Sequence, residues 1–247
     1  MKNQKNESTL SKEYIFKFWV GMMDGDGSIQ VNHWRKQCLQ FRFVIKCEFC
    51  EHNLKMFQLF KKYLGGNVRI NTKHNSVLWI CDRQQHIHFL ISTVFQKYPP
   101  LTSRVNAQLD FLIECKTRRC VSWYLLNRDK KYDMYEKKNT LQKTTPPLYF
   151  PEWSSGFIEA EGCFSLRQRH TNHSFRIGQK KDDFLLSYLK EYFQIKAQIR
   201  SPKTDFWVLE TYRRDVFVKM AHHFQNYPLL GAKAQSFEKF MKTLKKN

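Results

Sequence analysis

Two periodicities alternate along this chain, and their succession occurs twice. Tyr14, Ile15, Phe18, Trp19 and Met22 recur at helical spacing behind Ser11, a good N-cap, which predicts a first helix closed by Gly25 and Gly27. Residues 28–32 then read as a strand. In the next strand Leu39, Phe41, Phe43 and Ile45 share one face, and Gln40, Arg42, Val44 and Lys46 share the other. Residues 53–63 form an amphipathic helix that Gly65 and Gly66 close. Val68 and Ile70 then alternate with Asn67, Arg69 and Asn71 as a further strand. The second half repeats the order. A helix starts near Pro151, which suits a first turn. Residues 163–167 follow as a strand, then Phe175 and Ile177 against Arg176, a helix over residues 183–193, and a strand in which Ala197 and Ile199 oppose Gln198 and Arg200.

The repetition extends to individual residues. Gly21-Met22-Met23-Asp24-Gly25-Asp26-Gly27 returns as Gly156-Phe157-Ile158-Glu159-Ala160-Glu161-Gly162. Phe95-Gln96-Lys97-Tyr98-Pro99 returns as Phe224-Gln225-Asn226-Tyr227-Pro228, and Trp79 pairs with Trp207. So long a period means a duplicated domain rather than a solenoid. Residues 1–115 form one unit and residues 150–247 the other. Residues 116–149 have no counterpart, contain Arg118-Arg119, Lys130-Lys131 and Pro146-Pro147, and read as the linker.

Composition changes the picture in one respect. With 42 Lys and Arg against 22 Asp and Glu the net charge is +20, which points to nucleic acid as partner. Membrane contact is not expected, since no apolar run is long enough to span a bilayer and the basic residues lie among aromatics. Seven cysteines and no secretory leader favour a reducing compartment. Cys47-x-x-Cys50 lacks a second ligand pair at finger spacing, so free thiols are expected. Abundant Phe, Lys and Asn fit an A- and T-rich gene, as organelle coding would produce.

The chemistry lies in the duplicated acids. Asp24 and Asp26 point to different sides of a helix end, so the first can lock the helix while the second projects beyond it. Two such ends side by side bring Asp26 and Glu161 together, and like charges at close range call for a cation. Hard oxygen ligands favour Mg²⁺, which activates water and stabilises a leaving oxygen in phosphodiester hydrolysis. An EF-hand reading from Asp24 fails, because Ile29 and Arg35 stand where glycine and glutamate are required. The outward strand positions Gln30, Asn32, Gln40, Arg42, Lys46, Arg69, Asn71, Arg167, Arg169, Arg176, Lys180, Gln198 and Arg200 hold almost no acids, as a DNA-reading face would.

The paired motifs resemble those of single-chain LAGLIDADG homing endonucleases, over about residues 14–112 and 151–242. The resemblance implies an α+β fold of two pseudo-symmetric αββαββα units. Each would carry a saddle-shaped antiparallel sheet over DNA, and the units would pack through their motif helices at Gly21 and Gly156. It implies that Asp26 and Glu161 are catalytic metal ligands, helped by the carbonyls of Gly25 and Ala160. Lys233 would be the family's basic catalytic residue after a Pro-Leu element, with Arg104 its counterpart, each to polarise water or steady the scissile phosphate. Gln179 would be a polar active-site residue, with Cys50 at the matching place in the first unit. The expected activity is intron homing, in which a monomer cuts a double-stranded DNA site of about 20 bp with Mg²⁺ and leaves short 3′ overhangs. Two or more divalent ions are implied, with Mn²⁺ or Ca²⁺ able to replace Mg²⁺ in binding. Intron coding points to an organelle, the mitochondrion before the chloroplast. The alternatives on the same fold are a maturase that binds its host intron RNA and a non-cleaving DNA-binding protein.

Overall fold

The computed structural model describes residues 10–138, 145–166 and 173–244. Helix α1 (Lys12–Gly25) begins at Ser11, whose hydroxyl accepts from the Tyr14 amide, and Asp26 is its C-cap. Strands β1 (Gly27–Trp34) and β2 (Cys38–Glu48) follow, then α2 (Glu51–Leu64), β3 (Asn67–Asn71) and β4 (Ser76–Cys81). A helix starting as α3 (Gln84–Phe89) and continuing through Leu90–Phe95 leads to α4 (Ser103–Arg118). The second unit runs α7 (Phe150–Glu161), β5 (Cys163–Ser165), β6 (Ser174–Lys180), α8 (Phe184–Tyr192), β7 (Arg200–Lys203), β8 (Phe206–Thr211), α9 (Arg214–Asn226) and α10 (Ala232–Leu244). Each unit has one antiparallel sheet, ordered β1-β2-β4-β3 and β5-β6-β8-β7. The expected α+β duplication is therefore present.

The linker carries structure of its own. Between the units lie α5 (Val121–Asn127) and α6 (Lys131–Lys138). Phe111, Cys115 and Tyr124 form a small apolar cluster there against Val31, Leu39 and Phe41. Tyr124 donates its hydroxyl to the Val31 carbonyl, and the Gln108 side chain accepts from the Ile29 amide. Both bonds fall on β1, an edge strand whose free backbone groups would otherwise invite pairing with another chain. α5 is only seven residues long and α6 is mostly charged, so neither shows a helical period.

Two sequence expectations shift. Residues 197–199 precede β7 rather than forming it, with Ala197 and Ile199 packed against the core as irregular chain. The strand predicted for residues 163–167 ends at Ser165; Arg167 and Arg169 lie outside the described residues. Register also corrects the tryptophan pairing. Trp79 sits opposite Ile45, while Trp207 sits opposite Gln179. The counterpart of Trp79 is then Leu209, which faces Ile177. A slip of two residues keeps every side chain on its face, so alternation cannot detect it.

The motif helices α1 and α7 are the centre of the molecule. Nearly every residue from Tyr14 to Asp24 is buried, as a helix enclosed on all sides requires. A Cβ on Gly21 would stand 2.1 Å from the Trp153 carbonyl oxygen, and one on Gly156 1.9 Å from that of Phe18. The two backbones therefore touch, as expected for these glycines. Around this contact Lys17 pairs with Glu152 at 2.7 Å. Tyr14 donates to the Pro228 carbonyl and Tyr149 to that of Pro99, so each unit grips the other's repeated Phe-Gln-x-Tyr-Pro turn. No helix among the described residues is long and apolar enough to cross a membrane.

This contact sets a first prediction. Gly21→Ala or Gly156→Ala should cost about 3 kcal/mol or more, the upper range for overpacking, because the obstruction is backbone. Urea unfolding of each variant measures it; a loss below about 1 kcal/mol would show that the helices are not held at this distance.

Candidate active site between the motif helices

The two acids of each motif have different roles. Asp24 is buried and accepts from the amides of Leu101 (2.8 Å) and Thr102 (3.0 Å), the Thr102 hydroxyl (2.6 Å) and the Trp153 indole (2.7 Å). Glu159 accepts from the amides of Leu230, Gly231 and Lys233 at 2.8–3.1 Å. Each first acid thus holds the start of the following helix, α4 or α10, against its own motif helix. Carboxylates belong at helix N-termini, where unpaired amides carry partial positive charge. Burial pushes both carboxyls above their ordinary range, and these hydrogen bonds oppose it.

A second pair of caps crosses between the units. Asp182 accepts from the Ser103 amide at 3.0 Å and its hydroxyl at 3.1 Å. Asn53 accepts from the Ala232 amide at 2.8 Å while donating to the Glu48 carbonyl. Nothing local in the sequence marks these contacts, which join positions 79 and 179 residues apart.

The second acids turn outward to a shared place. Gly25 faces Ala160 across the helix pair, where an added Cβ would meet the Ala160 Cβ at 2.3 Å and the Glu161 carboxylate at 3.5 Å. Burial raises the Asp26 carboxyl, opposed first by Lys233 and then by Arg104. Burial and the Asp26 charge raise Glu161, opposed first by Arg104 and then by Lys233. Of the two basic residues, the one on the other unit's C-terminal helix thus acts more strongly on each acid. Two part-buried carboxylates beside each other form an arrangement that a cation would stabilise.

The surrounding residues are unequal. Gln179 is buried at the end of β6, its amide 3.5 Å from Asp182 and lining a cleft of about 530 Å³ with Gly25, Arg104, Glu161 and Lys180. Its counterpart is corrected from Cys50 to Cys47. Ser28 pairs with Val44 and Cys163 with Arg176, which makes Cys47 the equivalent of Gln179 in the registers of the two sheets. Cys50 instead caps α2, its sulfur accepting from the Asn53 amide. Burial, then the Asp26 charge, pushes the Cys47 thiol up to about 12. All seven cysteines are free.

Arg104, read from the sequence as the counterpart of Lys233, is already engaged by the protein itself. Its guanidinium lies on the carbonyls of Met23, Asp24, Gly25 and Gly27 at the end of α1. The Gly25 oxygen named as a metal ligand is therefore already hydrogen-bonded, at 2.7 Å.

The candidate DNA residues fall largely on one face. Gln30, Asn32, Gln40, Arg42, Lys46, Arg69 and Asn71 share the side of the first sheet opposite the core, with Gln30 accepting from Arg42 at 2.6 Å. Arg176, Lys180 and Arg200 share the corresponding face of the second. Three of these side chains, besides Gln30, already have partners. Arg200 pairs with Glu210 at 2.7 Å, Asn71 accepts from the His74 amide, and Arg42 is held by Gln30. Gln198 is exposed but precedes its strand.

Residues 19–115 and 154–244 match the family described as LAGLIDADG endonuclease. The chain is 44% identical to a probable intron-encoded endonuclease aI3 of Dictyostelium citrinum, covering 97% of this chain and 98% of that protein. It is 38% identical to a probable intron-encoded endonuclease aI3 of Debaryomyces hansenii, covering 93% of this chain but 38% of that longer protein. The LAGLIDADG meganuclease I-CpaMI, solved bound to uncleaved DNA, shares the fold with a TM-score of 0.72 at 18% identity, over 93% of this chain and 90% of that one.

Asp182 yields a pH prediction. Burial raises its carboxyl to about 6 from an ordinary 3.8. The folded chain therefore binds this proton more readily than the unfolded chain. The resulting stability is complete below about pH 4 and is lost as pH rises through about 6. Asp182→Asn keeps an acceptor for the Ser103 amide and should lack this decline, read as urea midpoints between pH 4 and 7. Identical pH profiles for variant and parent would contradict it. With two motif helices in backbone contact, paired outward acids and the matched sequence regions, this chain belongs to the LAGLIDADG endonuclease family.

Proposed function

We propose that the chain is a site-specific endonuclease that cuts both strands of a DNA duplex as a monomer. The observation that carries this reading is the convergence of Asp26 and Glu161 at the ends of two touching helices, beneath two sheets whose outward faces are basic. The donor set suits Mg²⁺. Both side chains are hard oxygen ligands, burial raises both, the Asp26 charge raises Glu161 further, and the Gly25 and Ala160 carbonyls lie at the same helix ends. Among the described residues no cluster of three or more His, Cys, Asp or Glu could hold a metal, so the remaining ligands would be carbonyls, water and the DNA phosphates. When bound, Mg²⁺ supplies an activated water and neutralises charge on the leaving oxygen.

The chain's own residues set the geometry. Asp26 and Glu161 would hold two or more such ions, with Mn²⁺ or Ca²⁺ able to substitute in binding. Lys233 offers an ammonium beside Asp26 to steady a scissile phosphate or orient water. Gln179 offers an amide in the cleft beside Glu161. The sheet faces would track the duplex over about 20 bp, one helical turn for each unit, and the cut would leave short 3′ overhangs. Relatives named as intron-encoded endonucleases support an intron reading frame; coding and action in an organelle, the mitochondrion before the chloroplast, belong to the same proposal.

The test is cleavage of a randomised DNA library with Mg²⁺, followed by variants on the selected site. Asp26→Asn and Glu161→Gln should still bind that DNA in Ca²⁺. Their cleavage should fall by more than about a hundredfold, beyond what outer-shell changes cost. Wild-type cleavage by both variants would remove the assigned carboxylate pair.

A further inference from the structure

The two motif helices end differently, although their acids are equivalent. Helix carbonyls in the last turn lack partners and carry partial negative charge, so a cation is favoured there. At the end of α1 that cation is internal. Arg104 Nη2 donates to Met23 at 3.3 Å, Asp24 at 2.9 Å and Gly25 at 2.7 Å, and Nη1 donates to Gly27. At the end of α7, Lys233 holds the corresponding position, but its ammonium bonds to no described residue. Among the described residues no side chain donates to the Ala160 carbonyl.

We propose that Arg104 is a positioning residue that serves α1 as a built-in substitute for a metal ion. An ion taking the Gly25 oxygen meets the charge of a planar guanidinium that spans four carbonyls, and must share the oxygen with it or displace it. An ion taking the Ala160 oxygen meets no such donor among the described residues. The two ends therefore load unequally: α7 accepts a divalent ion first, and α1 only against the Arg104 charge. This rests on the reading of Asp26 and Glu161 as divalent-ion ligands.

The probe is Ca²⁺, titrated calorimetrically into the full chain, with melting temperatures taken in chelator and in Ca²⁺. The wild type should bind in two steps of distinct affinity. Arg104→Ala should melt lower than wild type in chelator, gain more from Ca²⁺, and bind the weaker ion about tenfold tighter, as loss of one competing charged hydrogen bond implies. Arg104→Lys, which keeps the charge but cannot span the same carbonyls, should fall between them and guards against misfolding of the alanine variant. Lys233→Ala removes the same charge without freeing a carbonyl, and should tighten binding less than Arg104→Ala. Unchanged or weaker Ca²⁺ binding in Arg104→Ala would overturn the proposal, as would an equal gain in Lys233→Ala. If Asp26→Asn and Glu161→Gln also leave Ca²⁺ binding unchanged, the divalent-ion reading itself fails. If those variants weaken it while Arg104→Ala changes nothing, only the role of Arg104 fails.

Discussion

Everything else in this molecule depends on two helices approaching until their backbones touch. Side chains normally keep helix axes about 8–10 Å apart. At Gly21 and Gly156 no side chain intervenes, and the carbonyls of Trp153 and Phe18 occupy the space a methyl group would need. Only this approach brings Gly25 against Ala160, and with them the carboxylates that follow. The rest of the interface reinforces the contact from its edges. Tyr14 and Tyr149 grip opposite turns, Lys17 pairs with Glu152, and Asp24 reaches across to Trp153.

The acids divide labour according to which way the helix end points them. Asp24 and Glu159 turn inward and spend their oxygens on backbone amides, which fixes α4 and α10. Those helices carry Arg104 and Lys233. Asp26 and Glu161 turn outward and keep their oxygens free for a cation. The site is composite because the helices that carry Arg104 and Lys233 are each fixed by an acid of their own unit's motif and by a cap from the opposite unit. Asp182 holding Ser103 and Asn53 holding Ala232 complete this crossing. A change in one unit is therefore felt in the chemistry of both.

Much of this was legible in the sequence because it is local. Ser11, the 3.6-residue spacing behind it and the alternation of Phe43 and Ile45 with Val44 and Lys46 report their own elements directly. The duplicated motif added the interface and the acid pair. What was not legible depends on distant contacts. Asp182 and Asn53 have no signature, since their partners are brought near only by the fold. Trp79 aligns with Trp207 by residue type, because a two-residue slip preserves both faces. Cys50 aligns with Gln179 in the bare sequence because the chain between strand and helix differs in length between the units. Arg104 matched its family position, but only the folded chain reveals that its guanidinium rests on α1.

The central claim is that these touching helices deliver one shared divalent-ion site. Anomalous scattering from Mn²⁺ in crystals of the protein with its selected DNA tests it most directly. The account predicts peaks at coordination distance from the Asp26 and Glu161 carboxylates, between the helix ends and the phosphates. Ions held elsewhere on the protein, with those two carboxylates free of metal, would contradict it.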